Sequence, residues 1–373
     1  MVAEADYDLV IIGGGIIGVC TAYFAMRGDP GRRTLLVERG MIGAGATQFS
    51  VGLNLPYGHT PLRRELAVHS HRLFAELRRE IPSLPINDLP LSGVVGRSRV
   101  AEVIDNFVLP GVHAASADEL TALHAAYPGL HLGEGQVVLA GGAGSHAVPA
   151  EITRIMAARF RRQFGGECRE GVEVVYVESG NGRWNVYMSD GQAVSARHVV
   201  DATGPWMCAG PSHAFAAEQP IRIKKVAAMH IESPPPPGAP VLFFFDEDAF
   251  LLPLEEQGRW LFSFTLQVWD VEPESSGLML MPEDRAAAIA VLSRYMPSLV
   301  AHCTNARVFC DAYGPGWTPV IGRAARGYVL AGAGSGSGYR LAPGIARRAL
   351  ALLAEEGNDA ALAARSPAMN NHQ

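Results

Sequence analysis

The feature that most constrains this chain is Gly13-Gly14-Gly15-Ile16-Ile17-Gly18, a GxGxxG spacing set between two contrasting patterns. Before it, Asp8 to Ile12 is a short β-branched and leucine-rich run; after it, Ile16 to Arg27 carries apolar and small residues at helical intervals. Strand, tight turn and helix in that order let the backbone approach a pyrophosphate, with the helix N-terminus facing the anion. A second apolar run, Thr34 to Val37, is followed by Glu38, placed where an acid can bind ribose hydroxyls. The pattern predicts a βαβ dinucleotide unit on a parallel sheet. The plainer alternative is a glycine-rich turn in an ordinary α/β protein, with Glu38 a solvated strand end.

At 373 residues the chain exceeds what one simple core holds, so two interwoven domains are expected. Hydrophobic residues at 48% against 18% charged fit a globular enzyme and exclude a disordered or fibrous chain. A net charge of −6, with no basic stripe carrying interleaved aromatics, argues against a nucleic-acid partner. The start has acidic residues where a signal peptide needs positive ones, and the apolar stretch Leu9 to Cys20 is too short and too glycine-broken to span a bilayer. A cytoplasmic protein without a membrane partner is expected. The five cysteines are scattered without CxxC spacing, so neither a disulfide framework nor a metal site is expected.

Further along, Leu62 to Glu80 and Glu151 to Phe164 show helical spacing, and prolines at 82, 85 and 90 mark a crossing into a second region. Val172 to Val177, Arg183 to Met188 and His198 to Val200 alternate like strands, with turns at Asn181-Gly182 and Asp190-Gly191; they predict a meander returning to the first sheet. Pro234 to Pro237 reads as an extended surface loop. The aromatic-rich runs Val241 to Phe245, Phe250 to Leu254 and Arg259 to Gln267 predict a sheet in a second domain.

Three more stretches bring a family into view. They are Gly43-Ala44-Gly45-Ala46-Thr47, then Val199-Val200-Asp201-Ala202-Thr203-Gly204-Pro205-Trp206, and then the segment from Gly327 through Gly332-Ala333-Gly334-Ser335-Gly336-Ser337-Gly338-Tyr339-Arg340 to Gly344. With the opening fingerprint, these resemble the D-amino-acid oxidase superfamily, particularly its glycine oxidase and sarcosine oxidase branches. The resemblance implies an α/β fold: a Rossmann-like FAD-binding domain of glutathione reductase type, made of residues 1–84, 146–221 and 309–373, and a mixed-sheet α+β substrate domain, 85–145 and 222–308. It implies FAD rather than NAD, held by Gly13, Gly15, Ile16, Gly18, Glu38, Arg39, Ala46, Thr47, Val172, Val174, Thr203, Gly204, Trp206, Gly334, Gly336, Ser337, Gly338, Tyr339 and Arg340. It also implies oxidation of a C–N bond in a small amine or amino acid to an imine, with oxygen as acceptor giving hydrogen peroxide.

Arg340 stands where sarcosine oxidase-like members carry a lysine that binds the substrate carboxylate; an arginine can do this with two parallel hydrogen bonds, or can pair structurally with a nearby acid. Upstream the sequence departs from the family pattern: Phe309-Cys310-Asp311-Ala312-Tyr313 puts Asp311 near the position of a missing arginine. Placed there, an acid faces the substrate pocket and points to a specialised substrate with a second amine or without a carboxylate at that end; a slip of one residue in the alignment makes Asp311 irrelevant instead. Cys310 lies one residue from the cysteine that bears covalent flavin in sarcosine oxidase-like members, so a thioether at Cys310 is one alternative and a buried thiol the other. Asn54, Tyr57 and His59 follow the first flavin segment, and His59 is the candidate there, against a merely hydrogen-bonded surface histidine. No counterpart of the oxygen-activating lysine is found, and Lys224 and Lys225 read as solvated. A dehydrogenase or tailoring oxidase with another acceptor, and a non-catalytic flavin-binding subunit, therefore stay open. The oligomeric state is left unassigned.

Overall fold

The computed structural model describes residues 6–273 and 278–365; residues 1–5, on which the reading of the N-terminus partly rests, lie outside these. Tyr7–Ile12 and Thr34–Glu38 pair in parallel, as the intervening helix Ile16–Gly28 requires. Glu167–Glu170 extends this sheet on one side; Ala193–Asp201 and then Tyr328–Gly332 extend it on the other, all parallel. Val320–Ala325 closes that edge antiparallel. Val10, Ile11, Leu35 and Leu36 are completely buried, which is why these strands read as unbroken apolar runs. Val174–Gly180 and Arg183–Met188 form the expected antiparallel meander with the start of Ala193–Asp201. Its turn, Asn181-Gly182, has positive φ at both residues (53° and 75°), the conformation a two-residue hairpin favours.

On one face of this sheet the helices Ile16–Gly28, Pro61–Glu80, Pro149–Phe164 and Gly338–Arg365 bury a common core. Pro61–Glu80 turns Leu66, Ala67, Ser70, Phe74 and Leu77 inward at helical spacing, and Arg63 falls on the same buried stripe. The helix crosses Gly338–Arg365 at Gly344. A Cβ there would lie 2.6 Å from the Leu66 carbonyl oxygen, and the Gly344 N–H donates to Ser70 Oγ at 2.9 Å.

The second sheet runs, in spatial order, Cys303–Tyr313, Arg222–Ile231, Arg259–Phe264, Ala249–Leu254, Val241–Phe244, Ile86–Gly96, Gln136–Ala147 and Leu53–Asn54. It is antiparallel except where Val241–Phe244 meets Ile86–Gly96, so it is the mixed sheet expected. Its membership shifts two boundaries. Phe309–Tyr313 stays in this sheet because each residue is paired on Arg222–Ile231, and Leu53–Asn54 joins it through Gln136–Ala147.

The expectation for the lysines is corrected. Lys224 and Lys225, the only two in the chain, are 2% and 6% exposed, because they lie inside the long strand Arg222–Ile231 with neighbours on both edges. Lys225 forms a buried ion pair with Asp284 on the helix Pro282–Tyr295. Among the described residues no helix is long and apolar enough to cross a membrane, and no cluster of His, Cys, Asp and Glu could hold a metal ion.

Candidate active site

One cavity of about 1180 Å³ runs from the glycine-rich turn to the inner face of the second sheet. At its first end Gly15 caps the helix Ile16–Gly28 without a side chain, so the positive helix end is open to the cavity. Gly18 has no room for a Cβ, which would collide with the Gly13 carbonyl oxygen; helix and strand touch there. Glu38 accepts from the Gly14 N–H at 2.6 Å and the Gly40 N–H at 2.8 Å, and Thr47 Oγ1 accepts from the Ile16 N–H at 3.0 Å. In the middle, buried Asp201 accepts from the Thr203 N–H (2.9 Å) and hydroxyl (2.6 Å) and from Ser212, which fixes the turn into Gly204-Pro205-Trp206. Gly204 has φ +61°, and a Cβ there would meet nothing within 4 Å. Arg39 lies over the Trp206 ring at 4.2 Å.

At the far end, Ala333, Ser335 and Gly336 all have positive φ, an unusual density of left-handed backbone. Ser335 Oγ, accepting from the Gly314 N–H at 3.0 Å, and Asp311, accepting from the Gly336 N–H at 3.1 Å, hold the segment in place. Gly338 and Tyr339 bring the start of the long last helix to the cavity wall.

Of the residues that the sequence assigned to FAD, Gly13, Gly15, Ile16, Glu38, Arg39, Ala46, Thr47, Val172, Val174, Thr203, Gly204, Trp206, Gly334, Gly336, Gly338 and Tyr339 line this cavity. Gly18 and Ser337 stand just behind its wall. The open helix end, the glycines without side chains and the acid beside the turn fit a dinucleotide with a pyrophosphate. Tyr339 is 4% exposed and packs against Phe74, with its hydroxyl buried and unpartnered.

Asp311 lines the cavity beside Val226, Ala228, Ser263 and Phe309. Burial pushes its carboxyl up to about 6, opposed by the two backbone N–H groups of Gly336 and Ala312 that it accepts. Cys310 borders the cavity too, from the next position of the strand, and packs with Ile223, Ala312, Val320 and Ala333. Burial and the neighbouring Asp311 push its thiol up to about 11, away from the thiolate that attacks a flavin.

Arg340 is not on this wall. Its Nη1 donates to the carbonyl oxygens of Leu55 (3.2 Å) and Tyr57 (2.5 Å), and burial together with nearby Arg63 pulls its pKa down. Around it lies a charged cluster that the sequence reading missed. Arg63 donates to the Trp317 carbonyl oxygen and to Ser337 Oγ (2.6 Å), while its Nε is buried with no partner among the described residues. The Lys224 ammonium donates to Thr265 Oγ1 at 2.7 Å and sits 4.7 Å from the Trp317 ring and 5.1 Å from those of Trp269 and Tyr313. Asp248 has an exposed side chain, yet surrounding protein atoms raise its pKa against the pull of Lys224, Arg63 and Arg340. Three cations thus surround one acid. His59 is exposed at the edge of this group, and burial of its ring, then Arg63 and Arg340, hold its pKa low.

One signal for the cluster was readable. Arg63 occupies a helical position three before Leu66 and four before Ala67, so the apolar stripe of its helix carries a charge. Asp248, Trp269 and the neighbouring pair Tyr313 and Trp317 come from three separate stretches of chain, and no local spacing joins the three.

The chain is 28% identical to glycine oxidase of Bacillus licheniformis over 214 residues, which span 54% of each chain, so it covers about half the length of that relative. Two solved structures share its fold. L-proline dehydrogenase from P. horikoshii superposes with a TM-score of 0.78 at 19% identity, covering 95% of this chain and 94% of that one. Glycine oxidase from Bacillus cereus ATCC 14579 gives 0.75 at 20%, covering 94% and 96%. The sequence pattern of the FAD dependent oxidoreductase (DAO) family matches residues 8–352, from the first strand to the last helix, and the chain belongs to that family.

Proposed function

We propose that this chain oxidises the C–N bond of a small amine or amino acid to an imine. The observation that carries the reading is the meeting of two environments: a cavity fitted to a dinucleotide, with Asp311 in its wall, and beside it a cationic cluster built on Arg63 and Arg340. The relatives named glycine oxidase and L-proline dehydrogenase agree with it. Bound FAD supplies acceptance of a hydride from the carbon next to nitrogen. The chain's own residues bind, orient and exclude water. Arg340 and Arg63 anchor the substrate's carboxylate, since two buried guanidinium groups without a contacting acid favour an anion. Asp311, ionised above about pH 6, accepts a hydrogen bond from the amine, and His59 shapes the edge of the cationic cluster.

Oxygen is the proposed acceptor, with hydrogen peroxide as product. A dehydrogenase passing electrons to another acceptor is the second reading; it is favoured by the absence of any lysine from the cavity wall and by the lodging of Lys224 among three rings. The test is an anaerobic titration of the FAD-loaded protein with primary, secondary and dicarboxylic amino acids, followed in the visible spectrum. Bleaching by one substrate is expected. Peroxide formed stoichiometrically on admitting air supports the oxidase, and slow reoxidation without peroxide the dehydrogenase. A flavin that no amine bleaches would sink the proposal.

A further inference from the structure

The sheet face that looks into the cavity continues beyond it. Val226, Ala228 and Phe309 line the wall, and alternation along their strands puts His230 and Arg307 next on the same face, with Arg307 directly opposite Ala228. His146, whose ring donates to the backbone of Val51, a residue that also lines the cavity, lies within electrostatic reach of Arg307.

Arg307 is half-buried and makes no ion pair or hydrogen bond among the described residues. The charge that most affects it is another cation, Arg259, which is held by Glu232 at 3.4 Å and by Gln257. His230 has a buried Nε2 with no partner among the described residues. Burial keeps both His230 and His146 toward their neutral forms, against the pull of Glu232 on one and Glu256 on the other. A guanidinium partly withdrawn from water, with a second guanidinium for company, is costly unless a ligand anion completes it. Its planar fork suits a carboxylate, the His230 imidazole can donate alongside, and His146 can do so once a bound anion draws a second proton onto its ring.

We propose that Arg307, with His230 and His146, forms a second anion subsite at the outer end of the cavity, so that the substrate carries a carboxylate remote from the one held at Arg63 and Arg340. The substrate class is then an amino acid or secondary amine with two acidic groups. This rests on the amine-oxidation reading, and its test needs no turnover.

The FAD-loaded enzyme is titrated with length-matched acids, glutarate against pentanoate and pimelate against heptanoate, and the shift of the flavin spectrum gives each dissociation constant. At least one dicarboxylate is expected to bind about tenfold tighter than its monocarboxylate. Arg307→Met should erase that preference and leave the monocarboxylate within about twofold, while Arg307→Lys, which keeps the charge, should retain part of it. Should Arg307→Met fail to hold flavin, His230→Leu is read the same way and should weaken only the dicarboxylate. Equal affinities in the wild type, or a variant that weakens both acids alike, overturns the subsite. If no acid perturbs the flavin while an amine still bleaches it, the subsite falls and amine oxidation stands.

Discussion

Asp311 shows how one side chain can serve structure and chemistry together. It pins Gly336 within the left-handed segment and also faces the cavity. Its raised pKa fixes the sign of a stability effect. A carboxyl that holds its proton more tightly when folded contributes stability below the ordinary value of 3.8, and that contribution is lost as pH rises toward about 6. The wild type should therefore lose about 2 kcal/mol between pH 4 and pH 7 that Asp311→Asn does not lose. Denaturant midpoints of the two apoproteins at both pH values check this, and parallel profiles would refute it. The same variant should lower kcat/KM by about ten- to a hundredfold while FAD stays bound, the effect expected of a group that orients the reacting amine.

Between elements, tolerances are set by backbone contact. Gly344→Ala must force the last helix away from Leu66, and a cost of about 1–3 kcal/mol is expected, seen as a lower melting temperature. The ion pair of Lys225 with Asp284 ties the second sheet to the helix Pro282–Tyr295, with both side chains under 10% exposed. Lys225→Met should destabilise by about 3–5 kcal/mol by stranding the acid, and Lys225→Met with Asp284→Leu should recover most of it. A double-mutant cycle in urea measures both. Elements were also what the sequence disclosed best. The first strand, turn and helix, the long helices and the meander follow from periodicity and glycine punctuation, because each is a local pattern. Lys224 and Lys225 misled, since charge alone reads as exposure, whereas pairing on both edges buried them. Arg63 was visible as a charge on an apolar stripe. Asp248 was not, because its place in the cluster depends on how segments distant in sequence meet.

At the scale of the whole molecule, the cavity borders both sheets, so a ligand that fills it links the stabilities of two cores. FAD that binds only the folded chain should raise stability by about 2.7 kcal/mol at a hundredfold excess over its Kd, and melting curves of the apoprotein should move upward with each increment of cofactor. Beside it Lys224, Arg63 and Arg340 outnumber the acids even when Asp311 is counted with Asp248, and that imbalance has a thermodynamic consequence for whatever enters. An ammonium group is repelled where a free amine is not, so an amine that arrives protonated must hand its proton to the buffer. Titration calorimetry in buffers of different ionisation enthalpy should register close to one proton released per molecule bound. Below the amine's own pKa, apparent affinity should rise about tenfold for each unit of pH, and the neutral amine left in the site is the species whose lone pair can assist departure of the neighbouring hydride.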